Sequence, residues 1–459
     1  MVTNKILPQR MFPKRYIITA AQAYGGSGKG MPNGNFLAGL EKYCEFMGAE
    51  LVILPMAGSS VRELDLHFDI ARRPEVWHGS KRLNRKIAIS DMIVPPQNVD
   101  PSSGRLRFPQ RDKTLILAHP KQRLKAVPNS NFKIPKFLVS TGALTTPNYN
   151  EMNHRGDAAK RDHVYGALVV EIVSEDRYHF RHIRAAAQGS FVDLGLKFDG
   201  AKKPVPVQIE ALVLGDIHVG DTDPVVRLAN YRMIEAYHPK RLILHDLFNG
   251  HSVNHHNFGK MITQVQDIEA GRASLVTELR ECYSELCEFS RVMGSRGEVI
   301  VVACNHHQFL NRYLEEMRLK DNPLNAKIAS RLIAPMVDGR DPVAVGLSMI
   351  GRIPRNVRFL DYDDDYKVRG VQLGSHGDKG MSGSRGSMRS REFAHGRSIT
   401  GHSHTPEILR NTVVVGTSTF LHLPYTKGSA SSWMNSNALL YENGSVQLIN
   451  IIDGQWTFS

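Results

Sequence analysis

The sequence predicts an α/β protein of two domains. Its 459 residues exceed what a single hydrophobic core usually supports. Short apolar runs that are typical of strands alternate with helical stretches in both halves of the chain. Residues 199–206 are rich in Gly, Pro and Lys, which indicates a linker. We therefore place the boundary there and expect domains at 1–205 and 206–459.

The N-terminal domain is predicted to contain a mostly parallel sheet, because its apolar runs are short, continuous and separated by a helix. The predicted strands are residues 16–21, 51–55, 86–94 and 114–118, with an amphipathic helix at 36–47. Residues 96–161 are basic and rich in Pro and Asn, which predicts loops. A β pair is expected at 164–173 and 178–183.

The C-terminal domain alternates in the same way. The predicted strands are residues 211–214, 241–244, 298–303, 371–373, 398–400, 412–415, 438–441 and 446–452. The predicted helices are residues 225–237 and 261–293. In such sheets the functional side chains gather in the loops that follow the strands.

Charge and composition point to a partner of opposite charge. Lys and Arg number 58 against 45 Asp and Glu, and the net charge of +13 favours a polyanion such as DNA over a merely solvated basic surface. No apolar run approaches the roughly 20 residues of a membrane helix, so no membrane partner is expected. Four cysteines do not form a disulfide framework, which favours the cytoplasm. A homo-oligomer is left open.

Five short motifs follow apolar runs in the C-terminal domain, and each carries metal-binding side chains. The seven candidate ligands are Asp216, His218, Asp246, Asn305, His376, His402 and His404. In an extended chain, residues two apart such as Asp216 and His218 point to the same side and can reach one ion. This oxygen and nitrogen set suits Mn²⁺, Mg²⁺, Zn²⁺ or Fe, and it lacks the thiolates that soft metals prefer.

As an ordered set, these motifs resemble the calcineurin-like metallophosphoesterase superfamily, whose pattern runs D-x-H, G-D, G-N-H-D/E, H, G-H-x-H. The resemblance implies a four-layer α/β/β/α sandwich over residues 206–459 and two divalent cations, with Mn²⁺ as the first choice. It implies one cation held by Asp216, His218, Asp246 and His404, and a second held by Asp246, Asn305, His376 and His402. His306 would be the catalytic histidine, assisting at the phosphate or its leaving oxygen.

Two positions depart from the family pattern. His245 stands where a glycine precedes the bridging aspartate, and His307 follows His306 where an acid normally orients the catalytic histidine. We count both His306 and His307 as candidate catalytic residues. Asp363, Asp364, Asp365 and Asp378 are candidate replacements for the missing acid.

The ligand set predicts hydrolysis of a phosphate ester. Two cations that share a water lower its pKa, so that a bridging hydroxide attacks phosphorus in line. The excess of Lys and Arg over Asp and Glu favours DNA as the substrate, so we expect the protein to be a DNase. The alternatives are a phosphatase or phosphodiesterase for nucleotides or another small ester, and a catalytically silent DNA-binding protein.

Two further resemblances concern the substrate. The segment Asp246-Leu247-Phe248 is similar to the Mre11-type nuclease branch of the superfamily. The Gly- and Arg-rich segment 376–395 resembles bacteriophage metallophosphoesterases, including early nucleases that degrade host DNA, which would place the protein in the host cytoplasm. The candidate phosphate contacts are Lys379, Arg385, Arg389 and His251.

The N-terminal domain carries a glycine-rich segment, residues 24–30, that follows a predicted strand. It departs from a phosphate-binding loop because Ala23 and Gly30 replace the first glycine and the Mg²⁺-binding Ser or Thr. A glycine-rich turn is therefore expected there. We assign the domain a role in assembly or in positioning DNA.

Overall fold

A computed structural model describes residues 13–60, 62–109, 113–130, 135–318 and 322–458. The chain forms two compact units. Unit 1 comprises Met1–Val127, Lys136–Pro206 and Gln455–Ser459, and unit 2 comprises Pro128–Pro135 and Val207–Gly454. Both units combine helices with sheets, so the predicted α/β class is confirmed. The chain passes from unit 1 to unit 2 after Pro206, beside the linker.

Unit 1 contains twelve strands and three α-helices in its described residues. The strands are β1 Lys14–Gln22, β2 Ala49–Met56, β3 Lys81–Arg82, β4 Ile87–Ile89, β5 Thr114–Leu117, β6 Arg123–Val127, β7 Lys136–Ser140, β8 Gly166–Ile172, β9 Tyr178–Arg184, β10 Phe191–Asp193, β11 Leu196–Phe198 and β12 Val205–Pro206. The helices are α1 Gly34–Met47, α2 Phe68–Ala71 and α3 His154–Arg161.

The sheets of unit 1 are mixed, and the prediction of a mostly parallel sheet is wrong. In the order β2-β1-β8-β9, only β1 and β2 are parallel. Five further strands run β3-β4-β5-β7-β6, with antiparallel pairs at both ends. The continuous apolar runs report burial on both faces of a strand, and burial does not specify the direction of its neighbour.

Helix α1 shows how local sequence positions the core of unit 1. The Asn33 side chain accepts a hydrogen bond from Phe36 N at the start of the helix, and Gly48 ends it at φ 62°. Between these caps, Leu40 and Tyr43 repeat at helical spacing and are fully buried with Phe36. They pack in one cluster with residues of β1 and β8.

Unit 2 contains eleven strands and seven α-helices in its described residues. The strands are β13 Ile209–Val213, β14 Arg241–Leu244, β15 Glu298–Val301, β16 Val357–Phe359, β17 Lys367–Val368, β18 Val371–Gln372, β19 Ser398–Thr400, β20 Glu407–Leu409, β21 Thr412–Val414, β22 Ser436–Tyr441 and β23 Val446–Asn450. The helices are α4 Pro224–Tyr237, α5 Met261–Glu269, α6 Leu275–Met293, α7 His307–Glu315, α8 Ala326–Val337, α9 Pro342–Ile350 and α10 Met388–His395.

Two sets of strands organise unit 2. One runs β16-β15-β14-β13-β22-β23, and its first four strands are parallel. The other runs β17-β18-β19-β21-β20, in which β19 is parallel to both of its neighbours. Helix α6 packs against β15, and helix α10 packs against β19 and β21. Since parallel strands end at one edge, the loops after them are brought together.

Several elements differ from the predictions. The helix expected at 261–293 is two helices, α5 and α6, with Gly271 between them at φ 71°. Strands β6 and β7 and helix α3 lie within the stretch expected to be loops, and α10 lies within the Gly- and Arg-rich segment. None of the described helices is long and apolar enough to cross a membrane.

Candidate metal centre

The candidate ligands lie in the loops directly after the parallel strands of unit 2. Asp216, Asp246 and Asn305 follow β13, β14 and β15, while His376 and His402 follow β18 and β19. Four of the seven candidate ligands have a strained backbone with a positive φ. The left-handed φ values are 46° at His218, 48° at Asp246, 76° at His402 and 55° at His404. Each costs about 1 kcal/mol in a residue with a side chain, and such strain collects at functional sites.

Asp216, His218, Asp246 and His404 form one buried group that could hold a metal ion. Their ligand atoms all lie within 4.8 Å of one another. His218 Nε2 is 2.9 Å from His404 Nε2 and 3.3 Å from Asp246 Oδ2. His404 Nε2 is 3.3 Å from Asp216 Oδ2. The imidazole nitrogens and carboxylate oxygens therefore converge on one point, as ligands of a divalent cation do.

The other three candidate ligands adjoin this group at Asp246 and at Asp216, whose Oδ2 accepts a hydrogen bond from His402 N at 2.7 Å. His376 Nε2 lies 3.2 Å from Asp246 Oδ2, the same oxygen that faces His218. His402 Nδ1 is 3.1 Å from Asn305 Oδ1, and the rings of His402 and His376 are 5.2 Å apart. Asp246 thus stands between two sets of side chains, the position that a bridging carboxylate requires.

Two buried oxygen atoms show that the group fits a cation. Asp216 Oδ1 and Asp246 Oδ1 have no hydrogen-bond partner among the described residues. An unpaired buried carboxylate oxygen is costly, and a bound cation removes that cost. Gly401 keeps the space open, because a Cβ there would lie 2.0 Å from Asp216 Oδ1.

The pKa values in this group reflect two carboxylates in one buried space. Burial and the neighbouring Asp246 raise the pKa of Asp216 to about 7. Burial alone would raise the pKa of Asp246, but nearby histidines, His376 first, hold it well below its ordinary value. In turn, Asp246 overcomes the effect of burial on His376 and raises its pKa to about 9. The raised pKa values of Asp216 and His376 favour their protonated forms, so metal binding would release protons.

A hydrogen-bonded chain behind His218 fixes which ring nitrogen faces the ligand group. Asn249 Nδ2 donates to Asp221 Oδ2 at 2.9 Å, so its Oδ1 faces His218 Nδ1 at 3.2 Å. Because that oxygen only accepts, Nδ1 carries a proton, and Nε2 is the nitrogen that faces the ligand group. His251 Nε2 lies 2.9 Å from the same Asp221 oxygen. Such outer partners orient metal-binding imidazoles.

His251 therefore stands behind His218, where the sequence suggested a direct phosphate contact. Asp221 and Asn249 were not predicted at all, although each lies three residues beyond a candidate ligand, His218 and Asp246 respectively. This short spacing is the signal that could have drawn attention to them.

A backbone carbonyl takes the place expected for the missing acid beside His306. His306 Nδ1 lies 2.5 Å from Asn249 O, and the ring centroid of His306 is 4.6 Å from that of His218. Burial lowers the pKa of His306 to about 4, so the ring is uncharged near neutral pH. Among the candidate acids, Asp378 instead accepts a hydrogen bond from Tyr362 Oη at 3.0 Å.

The structure gives His307 a different partner from His306. His307 is buried at the start of α7, and its Nδ1 lies 3.3 Å from Asp341 Oδ2. Asp341 caps α9 by accepting from the backbone N–H of Val343 at 3.1 Å. The pair thus joins the starts of two helices.

The remaining candidate phosphate contacts lie in the Gly- and Arg-rich segment. Lys379 Nζ lies 3.7 Å from the centroid of the Tyr362 ring, and the backbones of Lys379 and Arg385 pair in an isolated antiparallel bridge. The side chains of Arg385 and Arg389 are exposed. The segment is held by the buried Arg391, whose Nη1 donates to Thr400 Oγ1 at 2.9 Å.

The glycine-rich segment of unit 1 is a tight turn. Lys29 N donates to Gly26 O at 2.9 Å, and Gly25 N donates to Lys29 O at 3.1 Å. Gly26, Gly28 and Gly30 all have positive φ. Two of its backbone N–H groups are thus used within the turn, whereas a phosphate-binding loop presents such groups to the ligand.

No protein-family model matches the chain. Protein A1 of Escherichia phage T5 is 28% identical over 470 residues, an alignment that covers 96% of this chain and 83% of that protein. The chain is therefore similar, over nearly its whole length, to a bacteriophage protein.

Proposed function

We propose that unit 2 is a metal-dependent phosphodiesterase that hydrolyses DNA, built as a four-layer α/β/β/α sandwich. The convergence of Asp216, His218, Asp246 and His404 on one buried point is the main support for this function. The adjoining His376, His402 and Asn305 support a second cation. Manganese is our first choice, and Mg²⁺, Zn²⁺ or Fe would suit the same oxygen and nitrogen ligands.

The side chains of the group would hold and separate the two cations. Asp216, His218 and His404 would hold one cation, His376, His402 and Asn305 would hold the other, and Asp246 would contribute to both. Bound divalent cations neutralise phosphate charge and lower the pKa of water. The hydrogen bond that His218 Nδ1 donates to Asn249 Oδ1 would keep His218 Nε2 directed at its cation.

His306 would act at the phosphate or at its leaving oxygen. Its Nδ1 is engaged by Asn249 O, which leaves Nε2 to exchange a proton with the substrate. Burial keeps the ring uncharged in the free protein. The negative charge of a bound phosphate would raise the pKa of His306 and favour its protonated form.

The charge of the chain supports DNA as the substrate. The net charge is +13, and the exposed Arg385 and Arg389 lie on the segment that joins His376 to His402. Phosphate contacts by such side chains depend strongly on salt. The Lys379 side chain would add a further positive charge beside the site. Unit 1 would serve assembly or DNA positioning, and a homo-oligomer is compatible with that role.

The decisive experiment offers the purified protein circular duplex, linear duplex and single-stranded DNA, together with a chromogenic phosphodiester. Each substrate is tested with Mn²⁺, Mg²⁺, Zn²⁺ or EDTA. We expect DNA cleavage that needs a metal and that weakens steeply as salt rises, while hydrolysis of the small diester barely responds to salt.

Three outcomes would change this assignment. Unaltered cleavage in EDTA would exclude the metal-dependent reaction. Hydrolysis of the small ester without DNA cleavage would favour a nucleotide or another small phosphoester as the substrate. DNA binding without hydrolysis under any condition would favour a catalytically silent binding protein.

A further inference from the structure

A cluster of three aromatic rings adjoins His306 in unit 2. The Phe309 ring centroid is 4.7 Å from that of His306, 5.3 Å from His255 and 6.2 Å from His256. The rings of His255 and His256 are themselves 3.9 Å apart. We call His255, His256 and Phe309 the ring cluster. It begins at the side chain that would contact the phosphate and continues outward from it.

The ring cluster reaches the surface of unit 2. His256 is exposed, while His255 and Phe309 are partly exposed. Packing in the hydrophobic core does not explain why these rings are exposed, because fully buried rings would stabilise the fold more. An exposed aromatic surface next to a reacting centre instead offers a place for a flat ligand.

The loop that contains Asn249 and Gly250 contacts both His306 and Phe309 of the ring cluster. Asn249 O receives the hydrogen bond from His306, and the next residue, Gly250, has φ 77°. A Cβ at Gly250 would lie 2.9 Å from Phe309 Cδ2. The loop therefore passes close to Phe309 and fixes the distance between the rings and the candidate catalytic side chain.

The polar groups around the ring cluster suit a nucleotide. His255 Nδ1 is buried and has no hydrogen-bond partner among the described residues, so its ring has a polar atom that the protein leaves unsatisfied. Burial, His256, Arg312 and Arg318 lower the pKa of His255 and Glu316 raises it, with a net lowering. Among the described residues, Arg312 and Arg318 both pair with the carboxylate of Glu316, so two positive charges face one negative charge there.

We propose that the ring cluster is a stacking subsite for the nucleobase next to the scissile phosphate. This inference rests on the proposed function and deepens it, because it names an unpaired nucleotide as the preferred substrate. Every base has a π-face, so stacking tolerates any sequence but requires a base that is free of its partner strand. Single strands and frayed duplex ends would therefore bind better than the interior of a duplex.

The test measures equilibrium binding by fluorescence anisotropy in Ca²⁺, with a labelled oligothymidylate and an abasic strand of equal length and charge. Wild type should bind the base-containing strand more tightly. His256→Ala and Phe309→Leu should each reduce that preference by about fivefold or more, since stacking contributes about 1–3 kcal/mol per base. His78→Ala, at an exposed histidine of unit 1, is the matched control and should keep the preference.

The outcomes separate this inference from the proposed function. The His256→Ala variant, whose ring contacts His255 and Phe309 rather than His306, should hydrolyse a base-free diester, p-nitrophenyl methyl phosphate, at the wild-type kcat and with unchanged metal content. A wild-type protein that binds both strands equally would overturn the stacking subsite. So would an equal loss of affinity for both strands in His256→Ala. Absence of metal-dependent hydrolysis would instead count against the proposed function, whatever the binding preference.

Discussion

The two units each bury a cluster of charged side chains, and the clusters are built differently. In unit 1, Arg181 pairs with Asp193 at 2.6 Å and with Glu171 at 3.1 Å, and Arg15 pairs with Glu171 at 2.9 Å. Two cations thus meet two anions. Tyr43 Oη adds a hydrogen bond to Asp193 at 2.9 Å.

The cluster in unit 2 has no such balance. Within the described ranges, the ion pairs of Asp216 and Asp246 are all with histidines, namely His218, His376 and His404. Two carboxylates and several lone pairs face one another, and both aspartates keep an unpaired oxygen. The charged groups of the unit 1 cluster neutralise one another, whereas the Asp and His side chains of the unit 2 cluster form a group that could hold a metal ion.

Asp246→Asn should give the largest effect, because Asp246 adjoins both sets of candidate ligands. The change keeps the shape and removes the charge, so we expect the Mn²⁺ content to fall and kcat/KM on DNA to drop about 1000-fold. Metal analysis and cleavage assays measure these losses. Added Mn²⁺ should raise the Tm of wild type but not of the variant. An unchanged metal content would remove Asp246 from the centre.

Arg181→Met should break the balanced cluster of unit 1. Two buried carboxylates would lose their shared cation, and we expect the free energy of unfolding to fall by about 3–5 kcal/mol. Urea denaturation measures this loss. Arg161→Met, at an exposed pair with Asp157, is the control and should cost less than about 1 kcal/mol. Metal content per folded protein should stay at the wild-type level in both variants, and a parallel loss of metal would contradict the division of roles.

His306→Gln and His307→Gln compare two adjacent histidines with different partners. His306→Gln should lower kcat about 100-fold with metal content unchanged, because it removes proton transfer beside the phosphate. His307→Gln should leave kcat near wild type and reduce stability by about 1 kcal/mol through the lost contact with Asp341. Steady-state kinetics and urea denaturation separate the two effects. Equal losses of kcat would give His307 a catalytic role as well.

Asp221→Asn should produce the smallest loss. The variant removes the negative charge behind Asn249 and His218 and weakens the preference for the Nε2 lone pair. We expect about tenfold weaker metal binding, the scale of an outer partner, with no change in fold. Isothermal titration with Mn²⁺ measures the affinity. If the variant bound Mn²⁺ with the wild-type affinity, His218 would be oriented without the hydrogen bonds that link it to Asn249 and Asp221.

Local sequence patterns predicted several helices and strands in both units. Helix α1 and strands β13 and β14 were predicted close to their observed bounds, because their apolar spacing and capping residues lie within a few positions. The sequence did not predict the break between α5 and α6, because residues that favour a helix flank Gly271 on both sides. The directions of the strands in unit 1 depend on which neighbour each strand meets, and that has no local signal.

The sequence by itself determined which side chains the centre could use, because Asp, His and Asn follow strand-like runs at spacings that suit metal ligands. Only the tertiary structure decided what stands behind them. The carbonyl of Asn249, 57 positions from His306, takes the place of the expected acid, and His251 turns to Asp221. Both contacts arise where loops from separate strands meet, so they depend on three-dimensional distance and leave no pattern along the chain.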